Sequence, residues 1–453
     1  ISNIRILVSV QFMKNLFKKI IISILTLEAR VVLSRYKPKI VAITGSVGKT
    51  STKDAIYTVL SPHFSTRKSD KSFNSEIGVP LTILGLPNGW NNPFLWLQNL
   101  LRGGLLCCLP KASSLAPSAY PSWLILEVGA DRPGDIESIT RWLKPDITVI
   151  TYFGKVPAHS EFFKSREDVI REKSFLVKAL KDGGLLCLNN DDEDVRKLRD
   201  LRRNTRVITW SIEHESDFQA SNFETTYKEL DGLQIPTGVT FKTNYDGNSI
   251  PIPISGTVGR QHVYPVLASL ALGDSLGINM ISMAQSIRIH KTPPGRMKLV
   301  EGIRNSTIID DTYNASPFAM KEALRTLRET KCNGKKIAVL GDMLELGTHS
   351  TKAHEQAGKE ASSSCDKLIT VGLRARDIAK GALENGMDEK NIFQFDTALE
   401  ADKPTEDLIK QGDLVLVKGS QGIRLEKVVE EIMAHPEDKE SLLVRQEEEW
   451  QNR

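Results

Sequence analysis

Along the 453 residues, short apolar runs alternate with stretches whose apolar positions recur every three or four residues. Alternating strand-like and helix-like patterns predict a mostly parallel α/β sheet. In the first half, "KIVAIT" (39–44), "WLILEV" (123–128), "DITVIT" (146–151) and "GLLCLN" (184–189) read as strands. Between 217 and 256 the pattern becomes β-rich and more polar, and "RQHVYPVLASLALGDSLG" (260–277) then reads as a helix. After the proline-containing "KTPPGRM" (291–297) a second α/β series begins, with "STIIDD", "KIAVLGD", "KLITVG" and "DLVLVKG" as its strands. The boundary is placed near Pro294, giving a central unit over 38–293 and a C-terminal unit over 294–435. The charged ending, 436–453, reads as a solvated helix or frayed tail.

Two apolar stretches stand outside this alternation. Residues 1–37 hold an uninterrupted apolar run of eight, Ile20 to Leu27, well short of the roughly 20 residues a membrane-spanning helix needs. No small-residue cleavage site follows it, so a secretory signal fits poorly. The first methionine is Met13, and residues 1–12 are read as upstream of the start or as following an unusual start codon. The second stretch is the apolar insert over 85–122. With Lys14, Lys18 and Lys19 beside one apolar run and Arg102 inside the other, two readings stay open. The segments lie in a membrane interface, at its inner face, or they pack on each other and cover a sheet edge.

Composition narrows the class. Hydrophobic residues make up 40% and charged residues 26%, enough apolar material for cores in two or three domains. A net charge of +4 is small for this length and argues against a nucleic-acid partner. The five cysteines lack metal-type spacing, Cys107 and Cys108 are expected to be buried, and a reduced, cytoplasmic compartment fits them.

The strand "KIVAIT" runs into Gly45-Ser46-Val47-Gly48-Lys49-Thr50-Ser51, and a helical pattern follows. Strand, glycine-bearing loop and helix together make a P-loop: backbone N–H groups and the helix N-terminus surround phosphate oxygens. In that role Lys49 bridges the β- and γ-phosphates of ATP, and the Thr50 hydroxyl ligates Mg²⁺. Lys49 is expected to face solvent until the nucleotide binds.

Further stretches carry a resemblance. "KSFNSEIGVPLTIL" (71–84), "LILEVGADRPGDIESIT" (124–140), "IIDDTYNASP" (308–317), "VLGDMLELG" (339–347) and "LVLVKGSQGIRLEKVV" (414–429) occur in that order. Together with the short glycine spacing of the loop, they resemble the Mur ligase family, in the branch that adds D-alanyl-D-alanine to a UDP-N-acetylmuramoyl peptide. The resemblance covers most of 38–432. It implies a P-loop central ATPase domain with a mostly parallel sheet, joined to a Rossmann-like α/β C-terminal domain. It also implies peptidoglycan chemistry, ATP, two Mg²⁺ ions, and a muramyl peptide and D-alanyl-D-alanine as substrates.

Residue by residue, the resemblance implies that Glu127 and His159 hold a second Mg²⁺ with Lys173, whose amine carries a carbamate. Asn74, Ser75 and Glu76 fall in the substrate loop after the first helix. "NNDDEDV" (189–195) resembles the loop around Asn189, Asp191 and Asp192, although a turn rich in Asn and Asp reads equally well. Arg296 matches an arginine that reaches ATP phosphates and Asp311 an aspartate that binds ribose. Tyr313 and Asn314 follow in the active-site loop, and Lys418, Gly419 and Ser420 line the dipeptide's side.

The sequence also departs from the family. Where asparagines usually sit near the adenine, it reads Gly259-Arg260-Gln261-His262-Val263-Tyr264-Pro265, so His262 is expected to stack on the base or bond to it. Only 44 residues precede Gly45, so the expectation is a chain without the family's domain of about a hundred residues for the UDP group. A related ligase with another amino-acid or polyglutamate substrate and a non-catalytic nucleotide-binding scaffold remain as alternatives. The set Lys49, Glu127, His159 and Lys173 favours catalysis.

Overall fold

A computed structural model describes residues 2–70, 73–108, 120–154, 162–163, 165–447 and 450, with side chains from residue 17 onward. Nine strands form the first sheet: β1 (Lys39–Thr44), β2 (Thr66–Lys68), β3 (Trp123–Glu127), β4 (Ile147–Ile150), β5 (Leu185–Asn189), β6 (Arg206–Ser211), β7 (Phe218–Leu230), β8 (Leu233–Tyr245) and β9 (Asn248–Ser255). Their order is β2-β3-β1-β4-β5-β6-β7-β8-β9. The pairs from β2 to β7 are parallel, and the β7–β8 and β8–β9 pairs are antiparallel. The chain leaves β1 for β2 and β3 on one side and returns to β4 on the other. The carboxyl end of β1 is therefore a switch point, where open α/β sheets leave a crevice for ligands.

Helices α1 (Ser2–Tyr36), α2 (Lys49–Leu60), α3 (Gly78–Leu84), α4 (Pro93–Cys108), α5 (Asp135–Thr140) and α6 (Arg166–Lys178) belong to this half. Side chains alternate along β1, so Val41 and Ile43 join a core with Ile56 and Val59 of α2 and the Val263–Ser275 helix. Ile40 and Ala42 point the other way, into a core with Leu25 and Ala29 of α1 and Leu81 of α3. The apolar N-terminal segment and the insert do pack together, but they lie over a sheet face rather than along an edge. Cys107 is half-buried and Cys108 exposed, against expectation, because α4 turns only one side inward.

The second sheet holds β10 (Lys298–Gly302), β11 (Ser306–Asp311), β12 (Lys336–Gly341), β13 (Lys367–Val371), β14 (Ile392–Phe395) and β15 (Leu414–Lys418). Their order is β10-β11-β15-β12-β13-β14, parallel except for β10. Nearly every residue of β11, β12 and β15 is buried, as expected of strands covered on both faces. The predicted strands all form. Sequence pattern missed β2, β10 and β14, which are short, polar or at an edge, and also β6, an interior strand of six residues. The expected helix at 260–277 opens with a 3₁₀ turn, Arg260–His262, before its α-helical part.

The charged ending departs from its reading as solvated. Leu443 and Arg445 are buried, and Arg445 pairs with buried Glu426 at 3.1 Å. An arginine that finds a carboxylate and backbone oxygens can leave water where a lone charge could not.

The α1 packing can be tested by its own contrast. Leu25→Ala removes a fully buried side chain and should destabilise the chain by about 2–5 kcal/mol. Leu27→Ala, on the exposed side of the same helix, should change stability by less than about 0.5 kcal/mol. Urea unfolding curves of the two variants measure the difference.

Candidate active site

The loop after β1 has no room for a side chain at its first residue. Gly45 has φ of 150°, and a Cβ there would sit 1.9 Å from the Thr151 hydroxyl. Gly48, at φ 86°, turns the chain into α2. The N–H groups of Ser46 and Val47 donate to the Tyr152 carbonyl at 2.7 and 3.3 Å, and Thr151 Oγ1 donates to the Val47 carbonyl at 2.7 Å. The loop is thus held against the residues that follow β4.

Lys49 corrects the expectation of a solvent-facing lysine. It is half-buried, and its ammonium donates to the Gly45 carbonyl at 2.9 Å, curling over its own loop. Burial pushes its pKa down, and the Glu127 carboxylate opposes that shift. A charge so placed is poorly solvated and gains most when an anion enters the loop.

Glu127 comes to the loop through register. Parallel pairing sets Ile43 beside Glu127, so the carboxylate stands where the loop begins. Thr50 Oγ1 donates to Glu127 Oε2 at 2.9 Å, and Asn74 Nδ2 donates to Oε1 at 3.1 Å. Hydroxyl and carboxylate together are the hard oxygen donors Mg²⁺ prefers. The residues after Asn74 do local work: exposed Ser75 accepts from the Gly78 N–H at the start of α3, and exposed Glu76 accepts from Ser138 at 3.4 Å. Among the described residues, no group of three His, Cys, Asp or Glu side chains forms a metal cluster. His159 lies outside the described residues.

Lys173 is buried on α6. Burial pushes its pKa down to about 7; the charge of Lys49 adds to this, while Glu172 and Asp131 oppose it. Glu172, not singled out in the sequence, accepts from the N–H groups of Gly134, Ile136 and Glu137 at 2.9, 2.7 and 3.1 Å. It thereby fixes the loop that brings Asp131 toward Lys173.

The second sheet faces this loop across a cavity of about 310 Å³. Val47, Gly48 and Ser51 line it from one side, and Arg296, Asp311, Asn314 and Lys418 from the other. Parallel register places Asp311 beside Lys418, and they pair at 2.6 Å with both side chains almost fully buried. Lys418 also donates to the Asn314 carbonyl at 2.9 Å. The lysine read as lining the dipeptide's side therefore stands in the same cavity as the glycine loop, with Asp311. Ser420 is turned away: its Oγ accepts from the Leu344 N–H. The stacked rings of Tyr152 and Phe318, 4.5 Å apart, bridge the two units at the cavity wall.

Arg296 lies over the Tyr313 ring at 3.9 Å, and its Nε is buried without a hydrogen-bond partner among the described residues. Asp310 sets this geometry, accepting from the Gly295 N–H and from both the N–H and hydroxyl of Thr312. Asn189 and Asp191 also line the cavity, but their oxygens are engaged. Asn189 accepts from the Asp191 N–H, and Asp191 accepts from three backbone N–H groups over 212–214 and from Tyr264 at 3.0 Å. Asp192 caps the helix Glu193–Lys197 and holds the Phe153 and Gly154 N–H groups.

His262 is at the cavity wall, but its Nε2 is committed to Thr257 Oγ1 at 2.7 Å. The Thr257 hydroxyl gives its proton to the Met297 carbonyl, so the ring must donate from Nε2. Burial pushes the imidazole pKa down to about 3, which keeps the ring neutral. Nε2 is therefore not available to a base, and it fastens the 257–297 junction.

Sequence reasoning missed Arg445. Its guanidinium donates to the carbonyls of Thr312 and Tyr313 at 2.5 and 3.2 Å, holding the loop that presents Tyr313 to Arg296. Nothing in a run of charges signals that one of them is buried. Arg445→Gln should lower kcat/KM for nucleotide by about tenfold or more while the fold is retained, because loop position rather than packing is lost. ADP-release kinetics beside a thermal melt would separate the two.

The comparisons with known proteins agree with this geometry. The family patterns described as "Mur ligase middle domain" and "Mur ligase, glutamate ligase domain" match residues 107–273 and 295–421, together well over half of the chain. The UDP-N-acetylmuramoyl-tripeptide–D-alanyl-D-alanine ligase of Bacillus subtilis is 28% identical over 409 residues, covering 90% of this chain and 79% of the relative. The enzyme of the same name from Escherichia coli is 27% identical, covering 86% and 76%. Among solved structures, the MurF ligase of Thermotoga maritima in complex with ADP has a TM-score of 0.72 at 26% identity, covering 91% of this chain and 83% of that one. With the glycine loop, the strand-end glutamate and the facing second sheet in place, the chain belongs to the Mur ligase family.

Proposed function

We propose that this chain is an ATP-dependent ligase of peptidoglycan precursor synthesis, joining D-alanyl-D-alanine to the terminal carboxylate of a muramyl tripeptide. The observation that carries the reading is the cavity where Val47, Gly48 and Ser51, chain neighbours of Lys49 and of the Thr50 that bonds Glu127, face Arg296, Asp311 and Lys418. A nucleotide lying there would put its phosphates on the loop and its sugar toward Asp311, and the partnerless Nε of Arg296 suits a phosphate oxygen.

The substrate carboxylate attacks the γ-phosphorus, the bond to the β-phosphate oxygen breaks, and ADP leaves behind an acyl phosphate. The dipeptide amine then adds to the acyl carbon, loses a proton, and the tetrahedral adduct collapses with release of phosphate. Lys49, freed from the Gly45 carbonyl, would hold the charge developing on the transferring oxygens. Arg296 and the Asp311–Lys418 pair orient the nucleotide, and the Tyr152–Phe318 stack helps exclude the water that would hydrolyse the acyl phosphate. Thr50 and Glu127 fit Mg²⁺, which would neutralise phosphate charge when bound.

Lys173 supports the finer reading of a carbamate. With a pKa near 7, a large share of its amine is neutral at physiological pH, and the neutral amine is the form that adds carbon dioxide. The anionic product would then supply oxygen toward a second Mg²⁺ together with Glu127 and His159.

ADP release measured with a panel of muramyl peptides and dipeptides tests the assignment. Dependence on a muramyl tripeptide plus D-alanyl-D-alanine is expected, and turnover only with glutamate as acceptor would point to the polyglutamylating branch. Lys49→Ala should reduce turnover by about 10²–10³-fold or more with an unchanged melting curve. Unchanged ADP production in that variant would sink the glycine-loop assignment. Lys173→Ala should lose most activity and recover part of it with added acetate or bicarbonate, since a small anion can occupy the place of the carbamate. Full activity without any anion would rule the carbamate out.

A further inference from the structure

The side of the molecule away from the nucleotide cavity carries features the ligase reading does not use. Leu25, Ala29 and Val32 of α1 are buried against its neighbours, yet Phe17, Ile20, Ile24, Leu27 and Val31 recur every three or four residues on an exposed side of the same helix. The packed partner α4 repeats the arrangement. Trp96, Gly103 and Leu106 point inward, while Phe94, Leu97, Leu101 and Leu105 are exposed, Phe94 at 81% and Leu101 at 63%. Two apolar stripes on adjoining helices make more exposed apolar surface than scattered single residues would.

The charges beside them are of one sign. Glu28 is the one acidic residue in the two helix sequences, and it is turned into the seam, where a Cβ on Gly103 would lie 2.1 Å from its Oε2. Lys18, Lys19, Arg30 and Arg102 are exposed. Beside the end of α1 there is also a cavity of about 460 Å³ at the amino ends of the parallel strands. Its wall holds Arg30, Lys37, Lys39, Lys144 and Lys181 against a single carboxylate, Asp146. Asp146 binds Lys39 and Lys181 at 3.3 and 2.8 Å, which leaves the other cations uncompensated by it. Arg30 and Ser34 border the Leu27–Val31 stripe at helical spacing, so apolar surface and basic cavity adjoin. Lys39 and Gly45 are at opposite ends of β1, so this cavity is about 20 Å from the glycine loop.

We propose that the α1–α4 face and the basic cavity form a docking surface for an anionic phospholipid bilayer. The apolar stripes enter the interface, and a lipid phosphate sits in the cavity among Arg30, Lys37 and Lys144. Among the described residues no helix is long and apolar enough to cross a membrane, so the contact is peripheral. Charge selects this occupant over a second copy of the chain, because two copies would bring the same cations together.

Co-sedimentation of the full chain with vesicles tests it, comparing pure phosphatidylcholine with roughly a 7:3 mixture of phosphatidylcholine and phosphatidylglycerol. Binding should favour the anionic vesicles by about tenfold or more at low salt and fall steeply as salt is raised. Leu97→Glu with Leu101→Glu, and separately Arg30→Glu with Lys37→Glu, should each cut that binding by about tenfold or more. Both pairs should leave the melting curve and ADP release unchanged, since the positions are exposed and remote from the nucleotide cavity. Failure to bind anionic vesicles overturns the proposal, as does equal binding to both compositions. Inorganic phosphate bound in the cavity, measured by calorimetry, without vesicle binding assigns the site to a free anion and overturns it too. So does a dimer, seen by light scattering, that Leu97→Glu with Leu101→Glu converts to monomer while vesicles are ignored.

Discussion

Parallel register is the constraint on which this molecule depends. In the first sheet it sets Ile43 beside Glu127, so the carboxylate meets the residues that follow β1. In the second sheet it sets Asp311 beside Lys418, so a carboxylate and an ammonium leave adjacent strands together. Strands of like direction end on the same side, and both sheets turn those ends toward one cavity. A shift of one residue in either pairing would turn these side chains to the opposite face.

Charges buried by this arrangement need partners, and the structure supplies them locally. Lys49 rests on its own loop carbonyl, Lys418 on Asp311, and Arg445 on Glu426 and two backbone oxygens. Such contacts are poor sources of net stability, because desolvation offsets most of the attraction. Their use is positional. Lys49 and Arg296 keep unspent capacity, the first because a carbonyl is a weaker partner than a phosphate, the second through an unpaired Nε. A site poised in this way binds an anion with little reorganisation, which is where electrostatic catalysis gains most.

The junction between the two sheets is stitched by Asp310, Thr257 and Arg445, none of which lines the cavity. Asp310 ties Gly295 to Thr312, Thr257 joins His262 to Met297, and Arg445 draws the chain's end onto the Thr312–Tyr313 backbone. Arg296 and Tyr313 therefore stack because their backbones are pinned from three sides. Glu172 plays the same part for the Gly134–Glu137 turn.

The sequence by itself determined the class of fold and the phosphate loop. An apolar strand, two spaced glycines, a lysine and a threonine act through neighbouring backbone, so their meaning is local. Strands such as "KIVAIT" and "DLVLVKG" were legible because burial on both faces leaves a continuous apolar run. Short or edge strands such as β2 and β14 were not, because their pairing comes from a neighbour rather than from their own residues. Only tertiary structure decided that His262 bonds to Thr257, that Lys418 joins Asp311 in the cavity facing the glycine loop, and that Arg445 is buried. Lys418 meets its partner 107 positions away and Arg445 reaches one 133 away, while Thr257, only five residues from His262, is itself tied to Met297 across 40; a polar side chain's role is set by the partner it meets. The burial that moves the Lys173 pKa toward 7 is likewise a property of the packed α6, and no spacing along the chain reveals it.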